Sequence, residues 1–396
     1  MSASSPPARA PASDWATDFD HLDPRWAADP YPIWATLRAQ CPVAHTDRFD
    51  GCYFPSTYAA VRAVAYDTTH FSSRRIIVRD QRTALIPAPP ITSDPPDHKP
   101  WKQALLPYFT PDQTAKLEGR ARALCNELID AFPEGGCDVA EAYTRHIPVR
   151  VIAHLLGLPE GDGDLFRKWI HVALELGITD PSVIMPAAME MQGYFAKHIA
   201  DRQVQLGNDL ISMLMGVQID GHPASPEHVI GMLRLLLIAG IDTTWSAIGS
   251  ALWHLAEHPE DAARLRADPT LMPTAIEEFL RAYAPVTMAR EVIQDTVIDG
   301  CPMRSGHMVL LSFPAANRDP ALFPDPDRVI LDRTENRHAA FGLGIHRCVG
   351  SNLARMELTV AVETFLQRVP VFRMDGPVRW AIGTVRGPRS LPMAFD

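Results

Sequence analysis

Apolar residues recur at steps of three and four along DPYPIWATLRAQ (29–40), TPDQTAKLEGRARALCNELIDAF (110–132), YTRHIPVRVIAHLLGL (143–158), the 230–257 segment, PTAIEEFLRAY (273–283) and SNLARMELTVAVETFLQRV (351–369). That spacing places the apolar side chains on one face of a helix, so each stretch is predicted helical. Strand-like pieces are few: GCYFPS (51–56), REVIQDTVIDG (290–300) and HMVLLSF (307–313), with a hairpin expected around RWAIGTVRGPRSLPMAF (379–395). The pattern predicts a mainly α protein, a large helical body with a small, mostly antiparallel β-region. LRLLLIAGIDTTWSAIGSALWHLAEH is apolar enough to suggest a membrane span, but Asp242, Thr243, Thr244 and His254 interrupt it. It is read as a buried helix, since a span needs about 20 predominantly apolar residues.

The chain has 396 residues, above the roughly 100 to 200 of a typical domain, yet no composition shift marks an interior linker. One domain over 21–396 is therefore expected, after a loose Pro/Ala/Ser-rich tail over 1–20. A net charge of −10, with no long basic run, lacks the footprint of a nucleic-acid binder. The six cysteines form no C-x-x-C pair and no metal-type spacing, and the N-terminus carries no apolar signal core. These features predict a cytoplasmic protein without membrane attachment; a monomer is expected.

FGLGIHRCVG (341–350) gathers three glycines, a histidine, an arginine and one cysteine. Cys348 precedes a predicted helix by about one turn, where the partial positive charge of a helix N-terminus favours thiolate over thiol. Glycines remove side chains where the backbone turns sharply or approaches something large and flat. Upstream, AGIDTT (239–244) sets an aspartate and two threonines among Leu and Ile, although a mid-helix threonine commonly just returns its hydroxyl to the carbonyl four residues back.

F-x-x-G-x-H-x-C-x-G, matched by Phe341, Gly344, His346, Cys348 and Gly350, resembles the haem-binding signature of the cytochrome P-450 family. AGIDTT resembles that family's oxygen-activating helix at all six positions, and other pieces of the pattern follow in order from Asp29 to the C-terminus. The resemblance implies the family's fold, with haem b (iron protoporphyrin IX) between the AGIDTT helix and the helix after the cysteine loop. It implies Cys348 as the iron ligand, with Phe341, Gly342 and Gly350 around it, and Ala239 and Gly240 on the opposite side, where Gly240 would let the helix widen. Asp242 and Thr243 would deliver protons. His98, Arg290 and His346 would meet the haem propionates, and so would Lys102, where the family more often has arginine. Glu278 and Arg281 resemble the family's structural E-x-x-R pair, completed by Arg328 of FPDPDRV.

The activity implied is that of a haem-thiolate monooxygenase, which inserts one atom of O2 into a small to medium hydrophobic substrate. With no G-x-G-x-x-G fingerprint in the chain, electrons would come from a separate ferredoxin and its reductase, docking near Lys99 and Lys102. A peroxide-driven peroxygenase and a non-enzymatic haem sensor or carrier are the alternatives. Pocket walls are expected after Phe71, between Leu165 and His198, over 235–243 and 286–289, and at Thr384 and Val385. Arg74, Arg75, Arg79 and Arg82 read as a solvated loop face, with anchoring of a substrate carboxylate as the other reading.

Overall fold

The computed structural model describes residues 9–80, 86–219 and 221–396. Its axis is one helix, Pro226–Glu257, hereafter the central helix. The Ser225 side chain accepts from the His228 N–H and Pro226 occupies the first turn, a start that satisfies an otherwise orphaned donor and presets the backbone angle. The central helix is long and apolar enough to cross a bilayer, but most of its apolar window is buried inside the fold. It packs against His146–Leu156 and Ser351–Arg368, and its apolar residues join theirs in the largest core cluster.

Every predicted helical stretch contains a helix, with two adjustments of extent. The 110–132 stretch divides into Pro111–Ala115 and Glu118–Asp130, and the Thr114 hydroxyl in the first of these donates to the Thr110 and Pro111 carbonyls. The 143–158 stretch begins with a wider π-type turn over Ala140–Thr144. Ile184–Val204 is a helix that the pattern did not announce, because its buried face is thin: Ile184, Met191, Phe195, Ile199 and Arg202.

The predicted strands 51–56 and 307–313 and the start of 290–300 join a five-stranded sheet ordered 43–46, 52–55, 308–312, 287–292, 71–72, whereas 296–298 pairs with 301–303 in a separate ribbon. All neighbours run antiparallel except 52–55 beside 308–312. The expected C-terminal hairpin forms between Arg379–Trp380 and Pro388–Ser390.

Two expectations need correction. The loose tail does not extend to residue 20: Phe19 is fully buried against Trp26 and Phe54, and Arg48 holds Asp18 and Asp20 at 2.7 and 3.0 Å. Residues 1–8 lie outside the described residues. Nor is the E-x-x-R pair completed by Arg328, whose side chain is exposed and which contributes its carbonyl to Arg281 at 2.9 Å. Arg333 takes that place, its Nε 3.0 Å from Glu278 Oε2, while Arg281 Nε lies 2.8 Å from the same oxygen. The Ile330 N–H and Asn336 amide also donate to Glu278. This network ties the helix Met272–Ala282 to the loop that leads into the cysteine motif.

Removing one partner of a buried ion pair leaves an uncompensated charge and costs about 3–5 kcal/mol. Arg333→Ala is therefore expected to lower unfolding stability by about that amount, while Arg328→Ala stays within about 0.5 kcal/mol of the parent, as for exposed side chains generally. Denaturant titration of the two variants checks this; equal losses would return Arg328 to the network.

Candidate active site

The loop from Phe341 to Gly350 is drawn tight by a hydrogen bond from the Cys348 N–H to the Phe341 carbonyl, 2.7 Å long. Gly342 and Gly344 adopt φ of 71° and 68°, where only glycine is at ease, and a Cβ on Gly344 would stand 2.4 Å from the Ala65 carbonyl oxygen. The helix Ser351–Arg368 starts just past Gly350, as the spacing predicts. Opposing influences act on the Cys348 thiol, which faces the cavity. Burial pushes its thiol up, against the opposing pull of the Gly350 N–H, Lys102 and Arg347. A bound metal cation takes thiolate rather than thiol.

Cys348 opens onto a cavity with an empty volume of about 1450 Å³, counted to its mouth. His98, Lys102, Ala239, Gly240, Thr243, Arg290, Phe341, Gly342, His346 and Gly350 line it as well. Asp242 alone among the predicted site residues does not.

At one edge the rings of His98 and His346 meet with centroids 4.5 Å apart, and the Nε2 of each is buried without a partner. Arg290 is buried beside them and, among the described residues, donates only to its neighbour's carbonyl, Ala289, at 2.7 Å. Burial lowers Arg290 to about 10, with Asp94 pulling it back, and burial together with the charges of Arg290, His98 and Lys102 lowers His346 to about 2. Orphaned donors and an unpaired guanidinium at a cavity edge fit an anion carried by the occupant. Lys102 is placed differently from the expectation. Its ammonium donates to the Arg347 carbonyl, so its charge sits beside the cysteine loop.

On the opposite wall the Thr243 hydroxyl donates to the Ala239 carbonyl at 2.8 Å, so that the oxygen's lone pairs remain available to accept. The helix does not widen at Gly240: Pro226–Glu257 is regular throughout, and Gly240 instead permits close packing, a Cβ there lying 3.1 Å from Ile152. Asp242, fully buried, faces away from the cavity onto Arg389, at 2.8 and 2.9 Å from its two carboxylate oxygens. Arg389 also holds Glu175 at 2.8 Å and the Ser246 hydroxyl at 3.1 Å, and lies over the Trp245 ring. His171, half-exposed, stands 3.3 Å from Glu175. Burial raises the Asp242 carboxyl above the ordinary carboxylate range, with Arg389 pulling it back.

The chain is 35% identical to the cytochrome P450 monooxygenase PikC of Streptomyces venezuelae, over 97% of this chain and 95% of that one. This protein is a cytochrome P450. The family model for cytochrome P450 matches residues 185–375. The mycinamicin IV hydroxylase/epoxidase of Micromonospora griseorubida is 34% identical over 85% of this chain and 88% of its own. The crystal structure of CYP101J2 superposes with a TM-score of 0.87 at 26% identity, covering 98% of each chain. As a P450 the protein is a haem-dependent monooxygenase, and haem b is its cofactor. The cavity fits that group: a thiol on one wall, glycines where the backbone comes close, and orphaned donors at the edge where two propionates would lie.

Several residues of this P450 site escaped the sequence reading. Arg389 lies 147 residues from Asp242 in a short strand with no local signature. Glu357 is a fully buried cavity residue whose carboxyl is pushed up to about 8 by burial and whose Oε2 has no partner. Its position on the cysteine helix looked like an ordinary polar step.

The Arg389–Asp242 pair gives a direct test. Arg389→Met should destabilise the fold by about 3–5 kcal/mol by leaving Asp242 buried and unpaired. Asp242→Asn alone leaves Arg389 with Glu175 as its remaining acid, and the double variant should recover a large part of the Arg389→Met loss, since no Asp242 charge is then buried unanswered. A double-mutant cycle on unfolding stability reads this out; strictly additive losses would mean the two groups do not act as a pair.

Proposed function

We propose that this P450 hydroxylates an apolar organic substrate with electrons from a separate ferredoxin and its reductase. The observation that carries the reading is the division of labour across one helical turn: Thr243 faces the cavity as an acceptor, and Asp242 sits behind it, buried and ion-paired. Haem b held by the Cys348 thiolate supplies the oxygen chemistry when bound. The rest is this chain's work. His98, Arg290 and His346 hold the propionates. Thr243 orients a water or hydroxyl group at the cavity wall through its free lone pairs. Asp242, its carboxyl raised above the ordinary aspartate value by burial, is placed to take part in proton delivery. The line His171, Glu175, Arg389, Asp242 leads from the surface to that carboxyl.

External reduction is supported by the lack of a dinucleotide fingerprint in the chain. On the cysteine side, Lys99 and Arg347 are exposed cations, whereas Lys102 is committed to the loop. A cytoplasmic setting is supported by six cysteines that are all free. Relatives hydroxylate or epoxidise organic molecules, as the name of the mycinamicin enzyme says.

Turnover with a surrogate ferredoxin system, compared with hydrogen peroxide alone, tests the reading; product formed only with peroxide would identify a peroxygenase, and none under either condition a carrier or sensor. Thr243→Ala is expected to keep its haem and its nicotinamide consumption but to divert electrons to released hydrogen peroxide. Asp242→Asn should slow turnover itself, by roughly 10²-fold, the lower end for a lost proton-transfer group. The measurement is product and peroxide per nicotinamide oxidised; unchanged coupling in Thr243→Ala would remove that residue from proton handling.

A further inference from the structure

A second chamber adjoins the haem cavity, sharing Ile91 and Leu235 with it. Its walls include Trp169, Leu174, Met191 and Ile238, and no carboxylate is among the described residues that line it. Four arginines do line it. Two are answered: Arg74 by Asp94 at 3.7 Å and Arg75 by Glu291 at 3.6 Å. The other two are not. Arg234 donates to the Pro87 carbonyl and meets no acid among the described residues. Arg79 makes no hydrogen bond or ion pair among the described residues, and its Nε is buried and orphaned. Arg82, fourth in the sequence stretch, lies outside the described residues.

An apolar chamber holding two guanidiniums without a counter-ion is electrostatically unfinished, because a charge taken from water costs free energy until an anion or hydrogen-bond acceptor compensates it. We infer that the second chamber receives the anionic head of an elongated apolar carboxylate, held by Arg79 with Arg234 beside it, while its apolar end extends into the haem cavity. The inference rests on the monooxygenase reading and narrows its substrate class. The planar fork of arginine matches the two oxygens of a carboxylate. Arg234 and Thr243 are nine residues apart on one continuous helix, which is about 13 Å at the helical rise. Oxidation is therefore expected far from the carboxylate, and small aromatic acids are too short to bridge the distance. A cationic amphiphile would be repelled. Burial without a partner holds the Arg79 guanidinium below its ordinary value, in keeping with a group that gains from an arriving anion.

Calorimetric titration of the haem-loaded protein with dodecanoic acid, methyl dodecanoate and dodecylamine tests this without relying on turnover. The acid should bind about tenfold or more tighter than the ester, as a charge-assisted hydrogen bond implies, and the amine most weakly. Arg79→Gln should abolish the preference for acid over ester while leaving ester binding within about twofold, and Arg79→Lys should retain part of it. Because Arg79 has no partner to lose among the described residues, its variants should match the parent in thermal stability, which keeps a folding defect from mimicking the result. Equal affinity for acid and ester in the parent, or equal weakening of both by Arg79→Gln, would overturn the inference. Tight acid binding without any oxidised product would instead count against the monooxygenase reading and leave the anionic site standing; turnover of neutral substrates with no acid preference would do the reverse.

Discussion

Arg290, His98 and His346 crowd together at one edge of a buried cavity, and among the described residues no carboxylate hydrogen-bonds to them, Asp94 acting on Arg290 and His98 only through its charge. Like charges brought close in a poorly hydrated place repel, and each unsatisfied donor carries a desolvation penalty. The fold accepts that cost because the opposite features are assembled around it: a strained glycine loop that presents a thiol, and a long helix whose cavity face is Ala239, Gly240 and Thr243. An anionic, metal-bearing planar group resolves all three at once. The sheet, the Glu278 network and the packing of the central helix serve to hold these surfaces at fixed separation.

Asp242 and Arg389 show how the same fold separates two tasks along one helix. Thr243 and Asp242 are neighbours in sequence and so point about 100° apart. One wets the cavity wall, and the other is pinned from behind by an arginine that also grips Glu175, in the π-type turn Val172–Leu176 that walls the second chamber. The second chamber and the Asp242–Arg389 pair thus share a structural element. Buried charge pairs are a poor source of stability, so their use here fits positioning better than strengthening.

Much of this was legible in the sequence, since helix periodicity and the spacing around Cys348 are local properties. All the residues predicted to surround the haem face one cavity. The failures were long-range or depended on backbone detail. Arg328 and Arg333 lie five residues apart in one loop, and only the course of that loop, with a left-handed turn at Asp325, decides which guanidinium reaches Glu278. Arg389 carries no signal until the hairpin folds back on the central helix. In the Arg74–Arg79 stretch, paired and unpaired arginines look alike as letters; burial and the positions of Asp94 and Glu291 tell them apart.

The central claim is that this cavity binds haem b through Cys348. The absorbance of the reduced carbon monoxide complex tests it most directly, because a thiolate ligand shifts the Soret band to longer wavelength than a histidine ligand does. The account predicts the red-shifted band in the parent and in Cys125→Ala, and its loss in Cys348→Ala. A histidine-type band from folded, active parent protein, or a red-shifted band that survives Cys348→Ala, would contradict it.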